Sequence, residues 1–245
     1  MGDGNVTLFS QPLKPGYLPI PDIRLHSYGV ENKDETVTLV GALAPTEEHV
    51  SQISELPGRV RDIVVPSTSP EHFLFAPALS ERFPEANLWV IPGFMKGAGV
   101  PLPGRSLLFR GPSERGVIRE IGVDEGFPAG LDCAVFSVKL FAEAAVYIKS
   151  AKAVVFSDLA LKMDTKGDPE YRNVNEFLAR QAGIYDEVGA ITKVVLEEYK
   201  DEARVFFDAV GRFDYEHLLL SHATPVVQGT GREELERAMA FLRDE

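Results

Sequence analysis

The sequence predicts an α/β (α+β) fold, with strands in its first third and an alternation of strands and helices after it. Short runs rich in β-branched residues, separated by Pro, Gly and Asn, are typical of antiparallel strands. Further along, buried-strand patterns alternate with helical periodicity, as in folds that cover a sheet with helices. The 245 residues are 44% apolar, which is enough for a sizeable core. Because no repeat, low-complexity tract or clear linker interrupts the chain, we expect one domain over residues 1–245.

The elements predicted for the first half follow from local patterns and turn residues. In order, they are strands at Val6–Phe9, Ile23–Val30 and Thr36–Leu43, a helix after Thr46, a strand at Asp62–Pro66, a helix after Ser69 and a strand at Leu88–Ile91. Thr46 and Ser69 stand where a hydroxyl can accept a backbone N–H of the first helical turn, and Pro70 suits the first helical position. Pro57 and Gly58 are expected to end the first helix.

The second half is predicted to contain a loop, a hairpin and further helices. Residues 93–131 are rich in Gly and Pro and are expected to be mostly loop. The elements, in order, are a short strand at Leu107–Phe109, a hairpin of Ala144–Ile148 and Ala153–Phe156, helices over Val174–Lys200 and Ala203–Val210, a strand at His217–Leu220 and a helix after Thr230. Any break in the longest helix is expected at Gly183 or Gly189, and Thr230 is expected to form a capping box with Glu233.

Charge and cysteine content exclude several classes of function. The formal net charge of −12 repels a phosphate backbone, so we expect no nucleic-acid partner. No apolar run is long enough to cross a bilayer and no signal peptide is recognisable, so we expect no membrane partner and a cytoplasmic location, or the interior of an organelle if a transit peptide was removed. Cys133 is the only cysteine, which excludes a Cys-rich zinc site, and its apolar surroundings predict a buried, unreactive thiol.

Polar side chains that can bind metals follow three apolar strands. The segment DIVVP leads into the pair Glu71 and His72, AVVFS leads into Asp158, and HLLLS leads into His222. Functional side chains converge at the carboxyl ends of strands in α/β proteins, and two histidines with two carboxylates suit Zn, Fe or Mn. The same residue types also cap helices and hold loops by hydrogen bonds, and the spacing alone favours that structural interpretation.

Three stretches of the chain resemble segments of a known family. Their sequences are VVPSTSPEHFLFAPALSERFPEANLWVIPG, FAEAAVYIKSAKAVVFSDLAL and LLLSHATPVVQG. They are similar, in this order, to a strand with an acidic–His pair and a second strand, to a hairpin, and to a terminal motif of the DUF4336 family, a divergent branch of the metallo-β-lactamase superfamily. The matches extend from about Leu8 to Leu242. The resemblance implies a four-layer αββα sandwich of the metallo-β-lactamase type, in which helices cover two mixed sheets.

The resemblance also implies which metal ligands remain. The superfamily signature His-x-His-x-Asp-His falls on residues 67–72, so Ser67 and Ser69 replace its first two histidines and Glu71 replaces its aspartate. The histidine expected before the hairpin is absent as well, whereas the bridging aspartate and the last histidine are present. One site of the usual pair is therefore expected to survive, with one divalent metal (Zn, Fe or Mn) bound by Glu71, His72, Asp158 and His222.

We therefore expect a metal-dependent hydrolase or lyase that acts on a small-molecule substrate. Glu71 and Glu143 are the expected catalytic residues: Glu71 as a general acid or base, and Glu143, from the resemblance to the family hairpin, holding a ligand or a substrate ammonium. The alternative is a non-catalytic pseudoenzyme, without metal, that serves as a binding or scaffold module. A metal-free enzyme that uses either glutamate as its base is a third interpretation. The sequence indicates neither the substrate nor an oligomeric state.

The remaining histidines lack neighbours at metal-binding spacing. His26 and His49 lie on a predicted strand and helix and are expected to be surface or half-buried packing residues. His217 opens the strand that His222 follows, so we expect it at the opposite end from the candidate site.

Overall fold

Two mixed β-sheets packed face to face form the centre of the molecule. The structure is a computed structural model and describes residues 6–13, 23–94, 117–139, 141–164 and 179–243. The first sheet has the order β1-β2-β3-β4-β5-β6. Its strands are β1 (Val6–Leu13), β2 (Ile23–Glu31), β3 (Thr36–Val40), β4 (Arg59–Val65), β5 (Asn87–Val90) and β6 (Ile118–Glu120). Strands β1 to β3 pair antiparallel, and β3 to β6 pair parallel.

The second sheet has the order β11-β10-β9-β8-β7. Its strands are β7 (Leu131–Ser137), β8 (Ala142–Ile148), β9 (Ala153–Phe156), β10 (His217–Leu220) and β11 (Val226–Val227). Strands β9 and β10 are parallel and the other pairs are antiparallel. Because β9 and β10 run in the same direction, the residues that follow them emerge at the same edge of the sheet.

Helices cover the outer faces of both sheets. In the described ranges they are α1 (Glu47–Ser54), α2 (Pro70–Phe73), α3 (Ala76–Arg82), α4 (Lys193–Glu198), α5 (Lys200–Gly211) and α6 (Gly231–Ala238), with 3₁₀ turns at Lys149–Ala151 and Ala240–Leu242. Within the described part of the chain, no helix combines the length and the apolar character that a membrane crossing needs.

The side chains of β8 point alternately into two different cores, which shows the layers of the fold. Ala144, Val146 and Ile148 belong to the core between the two sheets, whereas Ala145 and Tyr147 belong to the core between the second sheet and α4 to α6. Successive side chains of a strand point to opposite faces, so β8 is buried on both sides. The architecture is therefore the predicted four-layer αββα sandwich.

Most predicted strands and the hairpin are confirmed with small shifts of their ends. The Thr46 hydroxyl accepts the backbone N–H of His49 at 3.2 Å, as expected of a cap. Two other caps are wrong: the Ser69 hydroxyl makes no capping hydrogen bond, and the Thr230 hydroxyl donates to the Glu234 carboxylate at 2.8 Å instead of accepting an N–H. The short strand predicted at Leu107–Phe109 lies outside the described residues.

The predicted helix over Val174–Lys200 is wrong as one element. Its first five residues lie outside the described ranges, residues 179–182 form one helical turn, and α4 begins only at Lys193. Gly183 ends that turn with a φ of +70°, a left-handed conformation that glycine adopts readily. Gly189 pairs with Leu161 in a short antiparallel bridge, and the chain between the two glycines is not helical.

Candidate metal site

Three strand ends deliver the side chains of the candidate site. Glu71 and His72 lie in the short helix α2, which begins five residues after β4 ends in the first sheet. Asp158 follows β9, and His222 follows β10, which is parallel to β9 in the second sheet. One potential ligand atom from each of these four residues lies within 4.8 Å of the others. The structure thus brings all four sequence-predicted residues into one cluster.

The imidazoles of His72 and His222 and the carboxylate of Asp158 form a compact triangle. The two Nε2 atoms are 3.0 Å apart, and each lies 3.3 Å from Asp158 Oδ1. The three side chains are 4%, 12% and 11% exposed, in the order His72, His222 and Asp158. Glu71 is half-buried.

The spacing of the triangle fits a common metal ion. Ligand atoms about 2.0–2.2 Å from one ion lie about 3.3 Å apart in a tetrahedral arrangement and about 3.0 Å apart in an octahedral one. The three observed distances of 3.0, 3.3 and 3.3 Å fall on these values. Neutral imidazole nitrogen and carboxylate oxygen are ligands that Zn, Fe and Mn accept.

His72 and Asp158 shift each other's pKa inside the cluster. Burial opposes the charged form of His72, but the negative charge of Asp158 and the hydrogen bond to it outweigh burial and raise the pKa of His72. Burial also opposes ionisation of Asp158, but the charge of His72 and the hydrogen bond of His222 lower the pKa of Asp158 well below its usual range. The carboxylate and the imidazolium therefore stabilise each other when no metal neutralises them.

Glu143 holds the backbone that carries Asp158. It is fully buried in β8, and its carboxylate accepts backbone N–H groups from Ser157 at 2.8 Å, Asp158 at 2.8 Å and Leu159 at 3.1 Å. Burial raises the pKa of Glu143 to about 8, the charge of Asp158 adds to the rise, and the backbone N–H groups oppose it. Glu143 thus fixes the backbone that carries Asp158, whereas its expected roles in catalysis and in holding a ligand or a substrate ammonium stay predictions.

Ser67 occupies one of the positions where the family resemblance expects a histidine. Its hydroxyl donates to Asp158 Oδ2 at 3.2 Å and accepts the N–H of Ser69 at 3.1 Å. Ser67 is fully buried. The serine therefore binds Oδ2 of the Asp158 carboxylate, and Oδ1 faces the two imidazoles.

Two of the remaining histidines are more deeply buried than the sequence predicts. His26 and His49 are not surface or half-buried but buried, with 4% and 2% exposure. His49 packs against Phe9 with ring centroids 5.1 Å apart, whereas His26 contacts the chain segment that carries His222. His217 lies at the start of β10, as expected, and its Nδ1 accepts the N–H of Gly229 at 2.9 Å. Cys133 is half-buried and not fully buried as expected, but burial still raises the pKa of its thiol to about 11, in keeping with an unreactive cysteine.

Solved structures with the metallo-β-lactamase fold resemble this chain at low identity. The Flv1 flavodiiron core from Synechocystis sp. PCC 6803, described as metal soaked, matches with a TM-score of 0.61 and 12% identity over 99% of this chain and 61% of its own. The flavodiiron protein from Giardia intestinalis matches with a TM-score of 0.63 and 12% identity over 97% of this chain and 56% of its own. The chain thus spans little more than half of each flavodiiron protein.

A metallo-β-lactamase from Pontibacter korlensis has the same extent as this chain. It matches with a TM-score of 0.56 and 13% identity, and the match covers 100% of both chains. At this identity the similarity shows the fold alone. No curated protein matches the chain. The model of the family described as "Domain of unknown function (DUF4336)" matches residues 6–183, most of the chain, which therefore belongs to that family.

Proposed function

We propose that this protein is a metal-dependent hydrolase or lyase that holds one divalent ion and acts on a small-molecule substrate. The observation that carries the proposal is the triangle of His72 Nε2, His222 Nε2 and Asp158 Oδ1, whose edges of 3.0, 3.3 and 3.3 Å suit three ligands of one ion. Similarity to a metal-soaked flavodiiron core and to a metallo-β-lactamase supports the proposal.

Each residue has a separate task in this proposal. A bound divalent ion supplies a Lewis acid that lowers the pKa of water or polarises a carbonyl group of the substrate. His72, His222 and Asp158 hold the ion, and Glu143 keeps the Asp158 backbone in position through three hydrogen bonds. Glu71 is half-buried at the same cluster, where its carboxylate can act as a fourth ligand or exchange a proton with the substrate.

The site is expected to hold one ion, not two. Ser67 and Ser69 stand where the family resemblance expects histidines, and a hydroxyl is a much weaker neutral ligand than an imidazole. The Ser67 hydroxyl is also engaged by Asp158 and by the Ser69 backbone. Elemental analysis of protein purified without chelators should therefore give about one equivalent of metal per chain, and anomalous scattering that reveals two ions about 3.5–4 Å apart would contradict this.

The decisive experiment compares two histidines of the same strand region. Zn, Mn or anaerobic Fe(II) at about 100 times its dissociation constant should stabilise the wild-type protein by about 2.7 kcal/mol, a rise in Tm of about 5–10 °C. His222→Ala should abolish this rise. The matched control His217→Ala lies at the other end of β10 and should keep it. If the wild type shows no rise with any of these metals and no metal by elemental analysis, the proposal fails.

A second candidate is a pseudoenzyme that keeps the fold as a binding or scaffold module. The observation that favours it is that the Asp158 carboxylate already has partners within the protein, namely His72, His222 and Ser67. In this case His222→Ala should cost only the loss of a hydrogen bond, about 1–3 kcal/mol, and this cost should not depend on added metal. The two candidates are thus separated by whether the difference in stability between His222→Ala and the wild type changes when metal is added.

A further inference from the structure

Strand β2 of the first sheet lies against the segment that carries His222, residues 221–225, which we call the His222 loop. The N–H of His26 donates to the carbonyl of Ser221 at 2.9 Å, and Leu25 forms an isolated antiparallel bridge with His222 itself. The first sheet therefore contacts the backbone of this candidate ligand directly.

The side chain of His26 adds a contact of its own. Its Nε2 lies 3.0 Å from the carbonyl oxygen of Ala223, and its Nδ1 lies 2.7 Å from the Ser10 hydroxyl. A carbonyl can only accept a hydrogen bond, so Nε2 carries the proton; Nδ1 of the neutral ring then accepts from Ser10. Burial lowers the pKa of His26, which favours this neutral form. Ser10 on β1 thus orients the ring that holds Ala223.

Tyr28, two residues further along β2, contacts the two ends of the same loop. Its hydroxyl is 2.7 Å from the carbonyl oxygens of Leu220 and Pro225, and the residue is 1% exposed. Residues two apart on a strand share one face. His26 and Tyr28 therefore form one row of hydrogen-bonding groups against the loop.

The loop needs such support because of its conformation. Ala223 has a φ of +54°, in the left-handed region that a residue with a Cβ rarely adopts. Conformations of this kind persist only where the surrounding contacts hold them. The Ala223 carbonyl is the group that His26 binds, so this contact acts next to His222 in the chain.

From these contacts we propose that His26, oriented by Ser10, is a positioning residue that fixes the His222 imidazole for metal binding. This inference rests on the proposed metal site, and it assigns to His26 no contact with the ion. It explains why a histidine is buried in β2 with both ring nitrogens engaged, which simple packing does not require.

Co(II) titration of the apo protein followed by visible absorption tests the inference, because the spectrum reports ligand geometry as well as affinity. We expect His26→Phe to weaken Co(II) binding on the order of tenfold or more and to change the spectrum, because it removes the hydrogen bond to Ala223 that supports the backbone beside His222. His26→Gln retains an amide donor for Ala223 and an acceptor for Ser10, and should restore most of the affinity.

The matched control is His49→Phe, which changes a histidine of similar burial that packs on Phe9. It should bind Co(II) like the wild type. If His26→Phe does not fold, Ser10→Ala takes its place and should weaken binding in the same direction. If the wild type and the His26 or Ser10 variant bind Co(II) with equal affinity and equal spectra, this inference is overturned but the proposed metal site is not. Absence of Co(II) binding by the wild type would instead overturn the proposed metal site and this inference with it.

Discussion

Asp158 is the residue on which the candidate site depends most. Its Oδ1 faces the two imidazole nitrogens, its Oδ2 accepts from Ser67, and its backbone N–H donates to Glu143. The negative charge keeps the pKa of His72 raised although His72 is buried. Removal of this charge should therefore change the protonation of a neighbouring residue as well as metal binding.

We predict that Asp158→Asn lowers the pKa of His72 in the apo protein and abolishes metal binding. The asparagine cannot supply the charge that offsets burial, so the imidazole should favour its neutral form. NMR titration of the histidine ring signals measures this directly. Asp62→Asn is the control, since Asp62 is also buried but accepts hydrogen bonds from the Trp89 indole, Asn87 and Arg61 instead. A His72 pKa that does not move in Asp158→Asn would contradict the assigned cause.

Glu143 offers a second prediction at the scale of one residue. In Glu143→Gln an amide NH₂ replaces one carboxylate oxygen, so at least one of the three backbone N–H groups loses its acceptor in a fully buried place. We expect a loss of about 2–3 kcal/mol in the free energy of unfolding, measured by chemical denaturation. The exposed Glu55→Gln should stay within about 0.5 kcal/mol of wild type. Equal stability of the two variants would show that Glu143 does not hold the Asp158 backbone.

The turn between α1 and β4 is the element whose geometry the sequence marks most directly. Gly58 has a φ of +122°, and an added Cβ would lie 2.7 Å from the carbonyl carbon of Glu35. Gly126 also has a positive φ, +82°, but an added Cβ there would meet no atom within 4 Å. The two glycines separate the cost of backbone strain from the cost of a steric clash.

We predict that Gly58→Ala destabilises the protein by about 3 kcal/mol or more, because strain and a backbone clash combine. Gly126→Ala should cost only the strain, about 1–2 kcal/mol. Urea denaturation of both variants provides the comparison. If the two losses are equal, the turn at Gly58 relaxes and does not constrain the start of β4.

Elements that depend on local pattern could be predicted from the sequence, and those that depend on distant contacts could not. The hairpin of β8 and β9 follows from two apolar runs around a polar turn, and its pairing is confirmed. The long helix predicted up to Lys200 fails where Gly189 pairs with Leu161, a contact that helical periodicity does not encode. The pattern predicts a capping role for Thr230, but its hydroxyl donates to the Glu234 carboxylate, which also accepts from Lys162.

The candidate site likewise contains residues that the local sequence pattern indicates and residues whose contacts depend on the folded chain. Strand ends followed by polar residues could indicate Asp158 and His222, because parallel strands deliver their carboxyl ends to one edge. The part played by His26 could not be predicted, since its contact with Ala223 joins residues 197 positions apart. The backbone contacts of Glu143 depend on how β8 packs beside the end of β9, which is equally a property of the folded chain.

At the scale of the whole molecule, the candidate site joins the two sheets. His72 follows a strand of the first sheet, whereas Asp158 and His222 follow strands of the second. An ion bound by all three would therefore connect the two halves of the sandwich. Since it binds only where both sheets are in place, it should stabilise the global fold and not one loop.

The pKa shifts in the site make the stability of the metal-free protein depend on pH. The folded protein raises the pKa of His72 above its ordinary value of 6.5, so the stability from this proton is present below about 6.5 and is lost as the pH rises through the folded value. Glu143, with a pKa raised from 4.5 to about 8, acts in the same direction between these two values. The lowered pKa of Asp158 gives stability that is lost only as the pH falls through its folded value, in acid.

We therefore predict that the metal-dependent rise in Tm grows from about pH 6 to about pH 8. A metal must displace the proton of His72, so binding is opposed at low pH and favoured once the imidazole is neutral. Over the same interval the apo protein loses the contribution of that proton, which widens the gap between apo and metal-bound protein. Differential scanning calorimetry with Mn(II) or Co(II) in a non-coordinating buffer measures both forms. A rise that is constant or shrinks with pH, or that persists in His222→Ala, would mean that the ion binds away from the His72, Asp158 and His222 cluster.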